Sequence, residues 1–141
     1  QKAIIVSGYF NPLHKGHIEY FHKAKEHADL LIVIVNNDYQ RKLKKSEEFM
    51  LEDERLSIIK ELKIVDHALI SIDNTSDVSS TIEKINLEFS DRYLLYFGNG
   101  GDQNNSSIPE IKICKKLKIK LIDGLGDKVQ SSSWLIKKKD D

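Results

Sequence analysis

The chain has 141 residues, about one domain's worth, and a chain of that length buries roughly two-thirds of its unfolded surface, enough for a core without staples. Its 22 Lys and Arg balance 22 Asp and Glu, so a zero net charge excludes the broad basic face of a nucleic-acid binder, though not a small basic pocket. A lone cysteine, Cys114, excludes an intramolecular disulfide framework, and no apolar run approaches the ~20 residues of a membrane helix.

In chain order, residues 3–7 (AIIVS) form a short β-branched run that predicts a buried strand ending in a turn at Gly8. Ile18, Phe21, Ala24 and Ala28 recur at helical spacing, which predicts an amphipathic helix starting near His17. Residues 30–35 (LLIVIV) are continuously apolar, as in a strand covered on both faces. Residues 36–49 are polar and lysine-rich and read as a mobile loop. Residues 52–62 read as a helix with an acidic first turn and Leu56, Ile59 and Leu62 facing a core. A third strand is expected at 67–72, and Val78, Ile82, Ile85 and Phe89 give a further helical stripe. Residues 93–97 (YLLYF) read as a fourth strand, closed by the glycine-rich stretch 98–101. Ser107 and Glu110 then have capping-box spacing, with Pro109 early in a helix reaching Leu117. A fifth strand at 119–122 and a short helix at 131–137 complete the chain.

Five strands alternating with helices predict one α/β domain over residues 1–141: a Rossmann-like, five-stranded, mostly parallel sheet with helices on both faces. With no leader-like segment before the first strand, a cytoplasmic location is expected.

Ligands of open parallel sheets bind beyond the carboxyl ends of strands, where the winding reverses. The glycine-bearing ends of strands one and four are the candidates. After strand one, residues 8–17 (GYFNPLHKGH) carry neither a Walker A loop nor a GxGxxG fingerprint. They place His14 and His17 three residues apart at a helix start. Unpaired N–H groups there favour phosphate, and imidazoles add donors that can follow charge developing on a phosphoryl group. Gly16 would let backbone approach a ligand closely.

This stretch resembles the GxFDPxHxGH signature of the cytidylyltransferase-like nucleotidyltransferases. So do the acidic segment ending in Arg (Glu52, Asp53, Glu54, Arg55), FGNGGD at 97–102 and QSSS at 130–133. The resemblance spans almost the whole chain. It implies that a phosphate oxygen of a small phosphorylated substrate attacks the α-phosphate of a nucleoside triphosphate, with pyrophosphate leaving and Mg²⁺ accompanying the nucleotide. It implies His14, His17, Lys44 and Lys45 as catalytic residues. Gly8, Tyr9, Phe10, Asn11, Gly16, Arg55, Gly100, Gly101, Asp102, Ser131, Ser132 and Ser133 would bind nucleotide. Arg55 would hold a phosphate or support the neighbouring loop. No side-chain metal site is assigned.

Three positions depart from the pattern, the mildest being Gln130, which replaces the usual Ile. Asn11 stands where Asp is usual, removing a carboxylate that could help hold the metal, and Ile136 stands where adenylyltransferases carry Arg. The small glycerol-3-phosphate type is the nearer resemblance, so CMP transfer from CTP to a phosphorylated alcohol or polyol is expected. Adenylyl transfer from ATP to a sugar phosphate is the alternative, and a non-catalytic nucleotide-binding module is the remote one. The resemblance also implies a homodimer, with neither nucleic acid nor membrane as partner.

Overall fold

The computed structural model describes residues 1–45, 47–100 and 108–125. Five strands, β1 (Lys2–Gly8), β2 (Leu30–Val35), β3 (His67–Ile70), β4 (Leu94–Gly100) and β5 (Lys120–Leu125), form one sheet in the order β3-β2-β1-β4-β5. Every neighbouring pair is parallel. The chain winds outward from β1 through β2 to β3, then crosses back to place β4 and β5 on the other side. The reversal therefore falls between β1 and β4, and the crevice beyond their carboxyl ends is where such a sheet takes ligands.

Period-two alternation explains why the central strands read as unbroken apolar runs. Ala3 and Ile5 of β1 and Ile32 and Ile34 of β2 face one layer, with Val78, Ile82, Ile85, Phe89 and Cys114. Ile4, Val6, Leu31, Val33 and Val35 face the opposite layer, with Phe21, Ala24 and Ile59. Helices α1 (Lys15–Lys25) and α3 (Glu52–Glu61) thus cover one face, and α4 (Ser79–Phe89) and α5 (Ile111–Leu117) the other. Each large aliphatic side chain so buried contributes about 1.5–3 kcal/mol. Cys114 is fully buried, and burial, then the nearby Glu110 charge, pushes its thiol up to about 12.

Three local expectations need correction. Residues 36–49 are not simply a loop: Asp38–Lys44 form a helix, α2. Its start is a reciprocal capping box, in which Gln40 N–H donates to Asn37 Oδ1 at 2.8 Å and Asn37 N–H donates to Gln40 Oε1 at 2.9 Å. The fully buried Gln40 also donates from Nε2 to the carbonyls of Thr75 and Asp77, at 2.8 and 2.9 Å. Polar side chains, not an apolar stripe, therefore anchor this helix.

Glu110 is not the third residue of a capping box. It is itself the residue before α5, and its carboxylate accepts from Val78 N–H at 3.1 Å instead. That tertiary acceptor role outcompetes the local cap. Strand bounds also move: β3 stops at Ile70, where Ser71 and Asp73 turn the chain into a polar cluster. Asp73 caps α4 from outside, accepting from Ser80 and Thr81 N–H at 2.8 and 3.0 Å. Strands β4 and β5 run three residues further than expected. Gly98 is what lets them close up, since a Cβ there would lie 2.4 Å from Leu125 Cδ1.

Candidate active site

The turn after β1 is built around Phe10. Its ring lies over Gly8, where a Cβ would come within 2.7 Å of the ring edge, so glycine is required. Phe10 takes a left-handed backbone (φ 52°) and is buried, edge-on to the His17 ring (centroids 5.0 Å) and to Phe21 (5.4 Å). The side chain expected to shape the nucleotide pocket thus acts from beneath, as the apolar seat of His17.

The two histidines form one unit. His14 is the N-cap of α1, which starts two residues before the expected position. Its Nδ1 accepts from Gly16 N–H at 3.0 Å, while its own backbone N–H donates to His17 Nδ1 at 3.1 Å. The rings stack with centroids 3.8 Å apart. Both Nδ1 atoms are therefore acceptors, which places the proton of each neutral ring on Nε2. Burial lowers the pKa of both; His17, which also feels His14, is pushed down to about 3. Near neutral pH the helix N-terminus thus carries two uncharged imidazoles with fixed tautomers, both hydrogen-bond donors at Nε2.

Behind this loop lies Arg55, nearly fully buried on α3. Its guanidinium donates to the carbonyls of Tyr9 (2.8 Å), Asn36 (2.6 Å) and Met50 (3.1 Å), and to Asp38 Oδ1 (2.7 Å). One side chain so ties the ends of β1 and β2 to the starts of α2 and α3. Asp38 and Glu52 complete the junction, each accepting from the other's backbone N–H (2.8 and 3.1 Å). Of its two expected roles, Arg55 occupies the one that supports the neighbouring loop.

Tyr9 leans toward α2, its hydroxyl donating to the Gln40 carbonyl at 3.4 Å; burial raises its pKa against the opposing Arg55 charge. Lys44 sets its Nζ 4.7 Å from the Tyr9 ring centroid, which brings that lysine to the histidine loop. Lys45 is the left-handed C-cap of α2 (φ 61°) and is exposed. On the opposite side Gly100 ends β4, held near α1 by the Tyr20 hydroxyl, which donates to the Gly98 carbonyl at 3.2 Å. Gly101, Asp102, Ser131, Ser132 and Ser133 lie outside the described residues.

Sequence reasoning missed Asn36, Asp38, Gln40 and Arg41. All but the half-buried Asp38 are buried, and Arg41 pairs with Glu48 at 3.1 Å. The Asn-x-x-Gln spacing at 37–40 was the available signal. As for Mg²⁺, no group of three His, Cys, Asp or Glu side chains is placed to hold an ion among the described residues, and the Asn11 Oδ1 already accepts two backbone N–H groups. An ion arriving on the nucleotide's phosphates would keep several of its waters and need few protein ligands.

A helix N-terminus with two neutral histidines, at the reversal point of an all-parallel sheet, places donors at the ligand crevice of a Rossmann-like α/β protein. The family described as cytidylyltransferase-like matches residues 5–138, and the chain belongs to it: it is a nucleotidyltransferase. Among its relatives, the FAD synthase of Methanosphaerula palustris is 34% identical over 94% of this chain and 82% of its own length. That of Methanocorpusculum labreanum is 37% identical over 60% of this chain and 58% of its own length. The bifunctional protein HldE of Helicobacter pylori is 36% identical over 53% of this chain but only 17% of its own length. Among solved structures, the lipopolysaccharide core biosynthesis protein of Thermoplasma volcanium superposes with a TM-score of 0.66. It is 25% identical and covers 86% of this chain and 94% of its own. Among the described residues no helix is long and apolar enough to cross a membrane.

Proposed function

We propose that this chain transfers an adenylyl group from ATP to a small phosphorylated acceptor, with FMN the first candidate. The observation that carries the reaction type is the His14–His17 pair: two neutral donors on a helix N-terminus suit an α-phosphate gaining negative charge. A phosphate oxygen of the acceptor attacks the α-phosphorus. The bond to the bridging oxygen breaks, and pyrophosphate leaves with that electron pair. Each neutral imidazole donates from Nε2 and keeps its proton throughout the step.

The expected preference for CTP gives way here to ATP. The support is that several relatives are FAD synthases, and the assembly of FAD from FMN is adenylyl transfer. The likeness to HldE and to a lipopolysaccharide core biosynthesis protein keeps a sugar phosphate as the second acceptor to try. A homodimer is the assembly expected, and analytical ultracentrifugation would decide it.

Pyrophosphate release, with product analysis, across ATP, CTP, GTP and UTP and across FMN, heptose phosphate and glycerol phosphate tests the reading. ATP with FMN should give FAD. Turnover with CTP alone, or none with any pair, would overturn it.

A further inference from the structure

Asn11 sits where the family pattern carries Asp, and its side chain makes a set of bonds that a carboxylate cannot. Its Oδ1 accepts from the Phe49 and Met50 N–H groups, both at 2.9 Å. Its Nδ2 donates to the Glu47 carbonyl at 2.6 Å. A carboxylate could take the two N–H groups, but it would set a lone pair against the Glu47 oxygen. The amide is therefore matched to this segment atom by atom.

Among the described residues, the other ties on residues 47–50 are few. Phe49 is 65% exposed, so its ring supplies no core packing. The remaining ties are polar: Arg55 Nε to the Met50 carbonyl at 3.1 Å, and Arg41 to Glu48 at 3.1 Å. Upstream, α2 ends with Lys44 against Tyr9, two residues before Asn11 in the chain.

We propose that Asn11 is a positioning residue. It latches residues 47–50 onto the histidine loop and so holds the C-terminal end of α2, with Lys44, beside that loop before nucleotide arrives. Its effect on nucleotide use rests on the nucleotidyl-transfer reading; the latch itself does not. A segment ordered in advance loses less conformational freedom on binding, so the latch acts on nucleotide affinity more than on the chemical step.

Two variants, Asn11→Ala and Asn11→Asp, test this against the full chain. Amide hydrogen exchange without nucleotide should speed up about tenfold or more at Phe49 and Met50 in Asn11→Ala, the scale of one or two hydrogen bonds. The Ile32 amide, inside the sheet, should not change. Pyrophosphate-release kinetics should show KM for ATP rising about tenfold in both variants, with kcat within about threefold. Unchanged exchange at Phe49 and Met50 in Asn11→Ala would overturn the latch, as would equal acceleration at Ile32, which means loss of fold. Faster exchange with an unchanged KM would overturn the positioning role. So would Asn11→Asp at wild-type KM with a lower Mg²⁺ requirement, since the position would then serve the metal. Should the wild-type chain turn over no triphosphate, the transfer reading fails while the exchange measurement still decides the latch.

Discussion

Residues 8–17 and residues 37–50 meet at Asn11, yet different forces hold them. The first stretch is seated on packed rings, Phe10 against His17 and Phe21, and the Nδ1 atoms of its two histidines are fixed by N–H groups of its own backbone. The second is held by side chains reaching across the sequence: Gln40 to 75 and 77, Arg55 to 9 and 36, Asn11 to 47, 49 and 50. Apolar seating fixes the histidine pair whatever its partners do. Polar cross-ties fix a wall only while every partner is present, because each lost group leaves another unsatisfied.

The sharpest contrast concerns the histidines. Replacing His14 or His17 by Ala should lower kcat by about 10²–10⁴-fold, the scale for removing a positioned donor, while nucleotide affinity falls much less. Steady-state kinetics with direct binding of ATP checks this, and full activity in the double variant would sink the assignment. Breaking the second region should act on stability instead. Arg55→Met strands a half-buried carboxylate and three carbonyls, so unfolding free energy should drop by about 3–5 kcal/mol in urea titrations. A loss below about 1 kcal/mol would mean that water replaces the guanidinium at no cost.

Acid separates the two regions by a third route. The folded pKa of His17 is depressed to about 3, below the ordinary 6.5, so the unfolded chain binds its proton first. Stability from this group is complete above pH 6.5 and is lost as pH falls from there toward 3. The slope contributed is up to about 1.4 kcal/mol per pH unit. Between pH 6.5 and 5, before most carboxylates titrate, His17→Gln should flatten the dependence of unfolding free energy on pH; an unchanged slope would place the acid sensitivity elsewhere. The smallest effect expected is at the α2 cap. Asn37→Ala should cost about 1 kcal/mol, and more if its side-chain donations to the Ser71 and Asp73 carbonyls are not replaced by water. Thermal melts would show it, and no shift at all would mean that α2 does not depend on its box.

The same division explains what the sequence made legible. Strands β1 and β2 and the stripes of α1 and α4 follow from apolar periodicity, because burial on two faces leaves that trace. His14 and His17 were readable as a pair because a helix start and a spacing of three encode their contact locally. Helix α2 left no such trace: Tyr39 and Leu43 are exposed and the buried positions are Gln40 and Arg41, so a hydrophobic reading sees only a polar stretch. Arg55 could be narrowed only to two roles, a phosphate ligand or a support of the loop, since its acceptors lie 5 to 46 residues away and three of the four are backbone atoms. Glu110 shows the converse error, a spacing that promised a local cap while the carboxylate served Val78, 32 residues earlier.

The sheet order has a consequence for how the protein is made. Of the five strands β1 is made first, yet it is the central strand, and its partner on one side is β4, which pairs Leu94 with Lys2 and Phe97 with Ile5. Until residue 97 is available, a nascent chain that has paired β1 with β2 carries an open apolar edge along Ala3, Ile4 and Ile5. Such an edge is a template for wrong partners. The crevice itself, bounded by the ends of these same two strands, comes into being only when that edge closes. A ribosome stalled near residue 75 should therefore display a chain that cannot bind nucleotide and that is prone to associate with its neighbours on the same message.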